Sequence, residues 1–130
     1  MYKFSNKSQE QLKTCHPLLQ LILREAIKIT DFSVIEGTRD EAKQNEFYAQ
    51  GWSKVKYPNG RHNKNPSQAV DIRPYPFKGW DNLGQFYELA GVIKTIAVQQ
   101  NIKIKWGGDF KEFFDGQHFE LKDVYNDEFF

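Results

Sequence analysis

The sequence holds a single cysteine, Cys15, so it can form no internal disulfide and cannot assemble a metal site from thiolates. Any metal it binds must be held by nitrogen and oxygen. Nor is there an excess of charge of either sign: 18 lysines and arginines stand against 17 aspartates and glutamates, for a formal net charge of +1. That balance lacks the positive field that drives sequence-independent binding to phosphate backbones or anionic lipid. Nucleic acid is therefore not an expected partner, and neither is stable attachment to a membrane. No apolar run approaches the roughly 20 residues of a membrane span, and the opening Met1-Tyr2-Lys3-Phe4-Ser5-Asn6-Lys7 lacks the apolar stretch of a signal peptide. The expectation is a chain made in the cytoplasm, which something else must release if its substrate lies outside the membrane. Internal repeats, low-complexity segments and linkers rich in Gly, Pro or Ser are also missing. At 130 residues the chain reads as one monomeric domain able to bury its own core, about 8–121, followed by a tail, 122–130, whose aromatics are expected to pack on the domain.

What is present is a sequence of short, well-marked elements. Ser8 with Gln11 has the form of a capping box. Leu12, Leu18, Leu19, Ile22, Leu23, Ala26 and Ile27 follow at helical spacing and are interrupted at Pro17, which predicts two short helices or one kinked helix. Cys15 is expected to be a buried small hydrophobe and His16 a helix-junction residue. Phe32-Ser33-Val34-Ile35-Glu36 alternates and ends at Gly37, as a strand does. A short helix is expected from about Asp40 to Gln50, then an exposed loop from Gly51 to Asn65, rich in Lys, Asn, Gly and Pro. Ala69-Val70-Asp71-Ile72 reads as a strand stopped by Pro74-Tyr75-Pro76, because proline cannot donate to a ladder. From about Asn82 to Gln99 a long helix carries Phe86, Leu89, Ala90, Ile93, Ile96 and Ala97 on one face. Lys103–Trp106 alternates as a strand, Gly107-Gly108 turns, and His118–Leu121 reads as the last strand. Helices early and in the middle with short strands between them predict an α+β fold with a small antiparallel sheet. Among the 20 aromatics, Trp106, Phe86 and Phe113 are expected in the core, and one or two of Trp52, Tyr57, Tyr75 and Trp80 along a substrate groove.

Two segments nearly fifty residues apart carry the chemistry: Arg61-His62-Asn63-Lys64-Asn65-Pro66-Ser67-Gln68-Ala69-Val70-Asp71 and Asp115-Gly116-Gln117-His118-Phe119-Glu120. Together they supply two imidazoles and several carboxylates. That is the donor set of a catalytic zinc ion that keeps one position open for water, which points to a hydrolase. Arg39, just after Gly37 and ahead of a helix, could clamp a substrate carboxylate bidentately or face a developing oxyanion. Asp109 could fix Arg39 or a ligand histidine from behind, and Tyr75 is a candidate substrate contact.

The order Glu36-Gly37-Thr38-Arg39, Gln44, Gly51, Arg61-His62-Asn63, Pro66-Ser67-Gln68-Ala69-Val70-Asp71, Pro74-Tyr75-Pro76, Trp106-Gly107-Gly108-Asp109-Phe110, Asp115-Gly116-Gln117-His118-Phe119-Glu120 resembles the M15 family of zinc peptidases. Within that family it is most similar to the phage endolysins that cleave the L-alanyl-D-glutamate bond of peptidoglycan stem peptides, and the similarity runs from Ser8 to Leu121. The resemblance implies that His62, Asp71 and His118 bind zinc with water in the fourth place, and that Asp115 is the catalytic acid and base. Glu120 competes for that role, since in a strand it shares a face with His118, and is otherwise expected to orient a ligand. The implied substrate is the stem peptide. D-alanyl-D-alanine carboxypeptidases of the family often have glutamate at the position of Asp115 and a shorter gap between the first two ligands. Here that gap is nine positions and includes Pro66, which favours the phage type.

Two readings from other classes stand beside this one. A metal-dependent nuclease is suggested by Arg61-His62-Asn63 with Lys54, Lys56 and Lys64, against the neutral charge balance. A zinc-stabilised binding module would close the metal with a fourth protein ligand such as Glu120, against which the presence of Asp115 speaks.

Overall fold

The computed structural model describes residues 2–122; the expected packing of the tail aromatics concerns residues 123–130 and lies outside the described residues. The elements run α1 (Asn6–Leu12), α2 (Pro17–Ala26), β1 (Phe32–Glu36), α3 (Glu41–Ala49), a 3-10 turn (Arg61–Asn63), β2 (Ala69–Pro74), α4 (Leu83–Gln99), β3 (Ile104–Trp106), a second 3-10 turn (Gly107–Asp109) and β4 (His118–Leu121). The four strands form one antiparallel sheet in the order β1-β2-β4-β3, so the fold is the expected α+β.

The helical opening is two helices, and its cap differs from the one expected. Ser5, not Ser8, caps α1 by accepting the Ser8 backbone N–H at 3.1 Å. Ser8 is buried, and its hydroxyl accepts the Val34 N–H at 2.9 Å, so it fastens α1 to β1. Two serines three residues apart offer the same capping chemistry, and burial against the sheet decides between them. Pro17 opens α2, where its missing N–H costs nothing, and His16 caps it by accepting from Leu18 N–H at 3.1 Å. β2 continues through Pro74 instead of stopping before it. Proline is tolerated there because Pro74 is the last strand residue, opposite Phe32 at the end of the ladder.

Strand alternation sorts the sheet into two chemically different faces. Val34, Val70, Ile72, Phe119 and Leu121 are buried in the apolar core with Trp106. Leu19, Ile22, Leu23 and Ala26 of α2 complete it, with Phe86, Leu89, Ala90, Ile93, Ile96 and Ala97 of α4, the residues expected of that helix. Each fully buried aliphatic or phenyl side chain contributes about 1.5–3 kcal/mol relative to exposure. Phe113 departs from the expectation: it is 40% exposed, and its ring is tilted against that of Phe110 with centroids 5.4 Å apart. It lies in the irregular segment before β4, where no ladder holds it against the core. The opposite face of β2 and β4 carries Asp71, His118 and Glu120, with His118 directly across from Asp71.

A bulge brings a fourth polar side chain to this face. The β1–β2 register shifts between Val34 and Glu36, so Val34 pairs with Ile72 while Glu36 pairs with Asp71. Without the extra residue, Glu36 would share the core-facing side of Val34; the bulge re-aims it onto the face of Asp71.

Candidate metal centre

Asp71 and His118 are set by the β2–β4 register, whereas His62 arrives on the 3-10 turn over them. Three bonds fix that turn. Arg39 N–H donates to the His62 carbonyl at 2.7 Å, Gln68 N–H to the Arg61 carbonyl at 3.1 Å, and the His62 ring meets the Gly37 carbonyl through Nδ1 at 2.7 Å. A carbonyl can only accept, so Nδ1 carries the proton and Nε2 presents a lone pair. That Nε2 is buried, has no hydrogen-bond partner, and lies 3.4 Å from Asp71 Oδ1. His118 is arranged in the same way. Glu120 Oε1 takes its Nε2–H at 2.7 Å, which turns Nδ1 toward Asp71 Oδ1 at 3.2 Å.

Two imidazole lone pairs and a carboxylate oxygen thus converge in one buried place, with all three candidate ligand atoms within 4.8 Å of one another. Acceptors facing acceptors repel unless a proton or a cation lies between them. His62, Asp71 and His118 therefore fit a metal ion that takes nitrogen and oxygen ligands, and the carbonyl of Gly37 and the carboxylate of Glu120 hold the rings from behind as such sites require.

The protonation equilibria express the same frustration. Burial alone would lower the His118 pKa, but hydrogen bonds to Asp71 and Glu120 and the charges of Asp71 and Asp115 push it up to about 10. Burial would raise the Asp71 carboxyl, yet the charge of His62 and the hydrogen bond with His118 hold it far below the usual carboxylate range. Because unfolded His118 titrates near 6.5 and the folded residue near 10, the metal-free protein keeps this stabilisation below about pH 6.5. It loses it as the pH rises through 10. Thermal unfolding with chelator present is thus expected to show a melting temperature that falls across this window, and a His118→Ala variant should flatten the profile. Binding a divalent ion at pH 8 should release close to one proton from His118, which calorimetry in buffers of different ionisation enthalpy would count.

Arg39 is not the open clamp expected of it. Its side chain is only 9% exposed. Nε and NH2 donate to Glu36 Oε1, the former at 2.8 Å, and NH1 donates to Gln44 Oε1 at 3.0 Å. The guanidinium lies 4.5 Å over the Phe47 ring and 3.6 Å from Asp71 Oδ2, the oxygen turned away from the histidines. Its fork is taken up by protein acceptors. Replacing Arg39 by Ala would take the guanidinium from two buried carboxylates, leaving Glu36 with Lys43 at 2.8 Å and Asp71 with the histidines, so a loss of about 1–3 kcal/mol is expected in denaturant titration.

Asp115 sits in the turn that leads into β4. Its N–H donates to the Gly107 carbonyl at 3.0 Å, and its carbonyl accepts from His118 N–H at 3.2 Å. Burial raises its pKa, and the charge of Asp71 adds to this, against the opposing charges of His118, His62 and Arg39, so the carboxyl lies within electrostatic reach of the candidate site. The turn fits only over a glycine, since a Cβ on Gly107 would fall 2.1 Å from the Asp115 carbonyl oxygen. Gly107→Ala is accordingly expected to displace Asp115, lowering hydrolytic activity more than metal affinity when both are measured on the same preparation.

The remaining candidates fall outside this cluster. Asp109 holds neither Arg39 nor a histidine; its carboxylate pairs with Lys94 of α4 at 2.6 Å and its side chain is 55% exposed. Tyr75 is 63% exposed and bonds through its N–H to the Asp31 carbonyl at 3.2 Å. Four residues beyond Asp71 along a strand is about 13 Å, so Tyr75 stands at the far end of β2 from the converging ligands.

Comparison with known proteins is consistent with this geometry. The family model of phage L-alanyl-D-glutamate peptidases matches residues 1–124. The chain belongs to that family. The L-alanyl-D-glutamate peptidase of Escherichia phage T5 is 28% identical over 136 residues, covering 92% of this chain and 98% of the relative. The crystal structure of the Serratia marcescens L-Ala D-Glu endopeptidase ChiX superposes with a TM-score of 0.73 at 30% identity, covering 92% of this chain and 90% of that one.

In this member of the phage L-alanyl-D-glutamate peptidase family, sequence reasoning left Glu36, Gln44 and Asn63 without a role. Gln44 is the one buried residue of α3. Its amide donates to Val55 O at 2.6 Å and Ser53 Oγ at 2.9 Å, while its carbonyl accepts from Arg39 and, at 3.3 Å, from Asn63. Asn63 in turn donates to the Arg39 carbonyl at 3.0 Å. One amide thus ties α3, the loop after it and the His62 turn to Arg39. The available signal was a helix lacking an apolar stripe, which has to be held by something other than core packing.

Proposed function

We propose that this protein is a zinc-dependent endopeptidase that hydrolyses the L-alanyl-D-glutamate bond of peptidoglycan stem peptides and acts as a phage or prophage endolysin. The observation that carries the reading is the convergence of His62 Nε2, His118 Nδ1 and Asp71 Oδ1 beside Asp115, in a chain of this family. His62, Asp71 and His118 are the zinc ligands. Zinc held there supplies a Lewis acid for the scissile carbonyl and lowers the pKa of water enough for attack near neutral pH.

The protein side of the mechanism follows from the residues around it. Asp115 takes the proton of the attacking water and later delivers it to the departing amine, a task suited to a carboxyl whose pKa burial has raised. Glu120, bound to His118 and 3.6 Å from Arg61, keeps that imidazole in the tautomer that presents Nδ1. Arg39 holds Asp71 in place and sets a fixed positive charge near Asp115. The protein works as a single monomeric domain. Among the described residues no helix is long and apolar enough to cross a membrane, and the enzyme reaches the wall after release from the cell that makes it.

Elemental analysis of the purified protein is expected to find one zinc per chain, removable by chelator together with hydrolysis of a short peptide containing the L-alanyl-D-glutamate bond. Zinc retained without any such hydrolysis would support the binding-module reading, and chelator-sensitive nicking of plasmid DNA the nuclease.

A further inference from the structure

Resting on the endopeptidase reading, we infer that Arg73 binds the free carboxylate of the substrate's glutamate, on the leaving-group side of the scissile bond. The residue that donates the departing nitrogen is a glutamate. It has two carboxyl groups; the peptide continues from one of them, so the other remains as a carboxylate a few bonds from the nitrogen. A site that cuts this bond must either solvate that charge or pair it, and an arginine fork matches its geometry.

Arg73 is placed for this. It lies two residues after Asp71 on β2, and therefore on the same face, about 6.6 Å along the strand. Its NH2 reaches Gln117 Oε1 at 3.5 Å, which sets the guanidinium beside the turn that carries Asp115 and His118. The guanidinium carbon lies over two rings, 5.2 Å from the Phe77 centroid and 5.0 Å from that of Trp80. Trp80 is itself stacked on the buried Phe86, with centroids 5.9 Å apart and planes 12° apart, so this wall is anchored in the core. Neither ring offers a carbonyl or carboxylate acceptor, so the guanidinium N–H groups are left to do the recognising.

Those N–H groups lack a carboxylate partner among the described residues, unlike those of the neighbouring arginines. Arg39 is committed to Glu36 and Asp71, and Arg61 to Glu120. Arg73 meets no carboxylate among the described residues, and its Nε is both buried and without a hydrogen-bond partner. A planar cation, fixed by aromatic faces next to a hydrolytic site and short of an acceptor, is suited to a substrate anion. The substrate-carboxylate role read from the sequence for Arg39 falls to Arg73.

The test compares kcat/KM on two stem-peptide substrates, identical except that the free carboxylate of the glutamate is replaced by a carboxamide. The wild-type enzyme is expected to favour the carboxylate substrate by about 10- to 100-fold, the range for a charge-assisted hydrogen bond. Arg73→Gln should bring this preference close to unity, chiefly through KM, and Arg73→Lys should keep part of it, since an ammonium retains charge without the fork. A wild-type enzyme indifferent to the carboxamide overturns the inference, whatever the folding of the variants. So does an Arg73→Gln enzyme that keeps the full preference while losing activity on both substrates equally, which would make Arg73 structural. If the wild type cuts neither substrate with zinc bound, the endopeptidase reading fails and the inference with it.

Discussion

Asp115→Ala is expected to retain zinc at wild-type stoichiometry and to lose hydrolytic activity by about 10²- to 10⁴-fold, the contribution typical of a positioned general acid and base. The two readouts separate because Asp115 is not among the converging ligand atoms, while its turn is built on the backbone of Gly107 and His118. Glu120 is the alternative base, and the structure gives it different work. Its carboxylate is bound to His118 Nε2 at 2.7 Å and reaches toward Arg61 at 3.6 Å, and although burial would raise its pKa, the His118 hydrogen bond and charge hold it down. A carboxylate kept ionised by an imidazole orients a ligand well but surrenders protons poorly. Glu120→Gln should therefore weaken zinc binding by about 10- to 100-fold, with activity recovering as zinc is added. Full activity in Asp115→Ala would instead move the base to Glu120.

His118→Ala is expected to lose zinc and activity together. Removing it deletes one of the three proposed ligands and leaves Asp71 and Glu120 without the imidazole that bridges them. Loss of the several kcal/mol of transition-state stabilisation supplied by a metal corresponds to a fall of about 10³-fold or more in kcat/KM. A second readout separates this from general damage. Metal that binds only the folded state raises the wild-type melting temperature as its concentration rises, and this dependence should vanish in His118→Ala. Zinc bound by His118→Ala with wild-type affinity would remove His118 from the ligand set.

Much of the fold was legible because its elements are local. α4 presents an unbroken apolar face, and the residues expected on that face are the buried ones. β1 was bounded by its alternation and by Gly37. The use made of Glu36 was not legible, because strict alternation assigns it to the side of Val34, and only the bulge, a property of pairing with β2, carries it across. The Ser5 cap and the exposure of Phe113 failed for a similar reason: each depends on what the segment packs against. Asp109 was drawn to the site by its neighbours in sequence, yet Lys94, fifteen residues away on α4, lies closer in space.

At the candidate site, the pairing of Asp71 with His118 follows from strand register, which no local pattern encodes across forty-seven residues. Family order located these residues, and the lone-pair geometry supplies a physical reason for the metal. The buried network of Arg39, Glu36, Gln44 and Asn63 was hidden because polar side chains at scattered positions leave no periodic trace. It is also where the site acquires its rigidity: Arg39 is bonded to Glu36 and Gln44, Gln44 also to Asn63 and the Val55 carbonyl, Asn63 to the Arg39 carbonyl, and Glu36 also to Lys43.

The most direct measurement is digestion of purified peptidoglycan by the protein as prepared, after chelation, and after zinc is restored, with every new terminus identified by mass spectrometry. A new amino terminus at D-glutamate is expected that disappears on chelation and returns with zinc. Release of free D-alanine in its place would contradict the endopeptidase assignment and indicate a carboxypeptidase, and cleavage that survives chelation would contradict the metal centre itself.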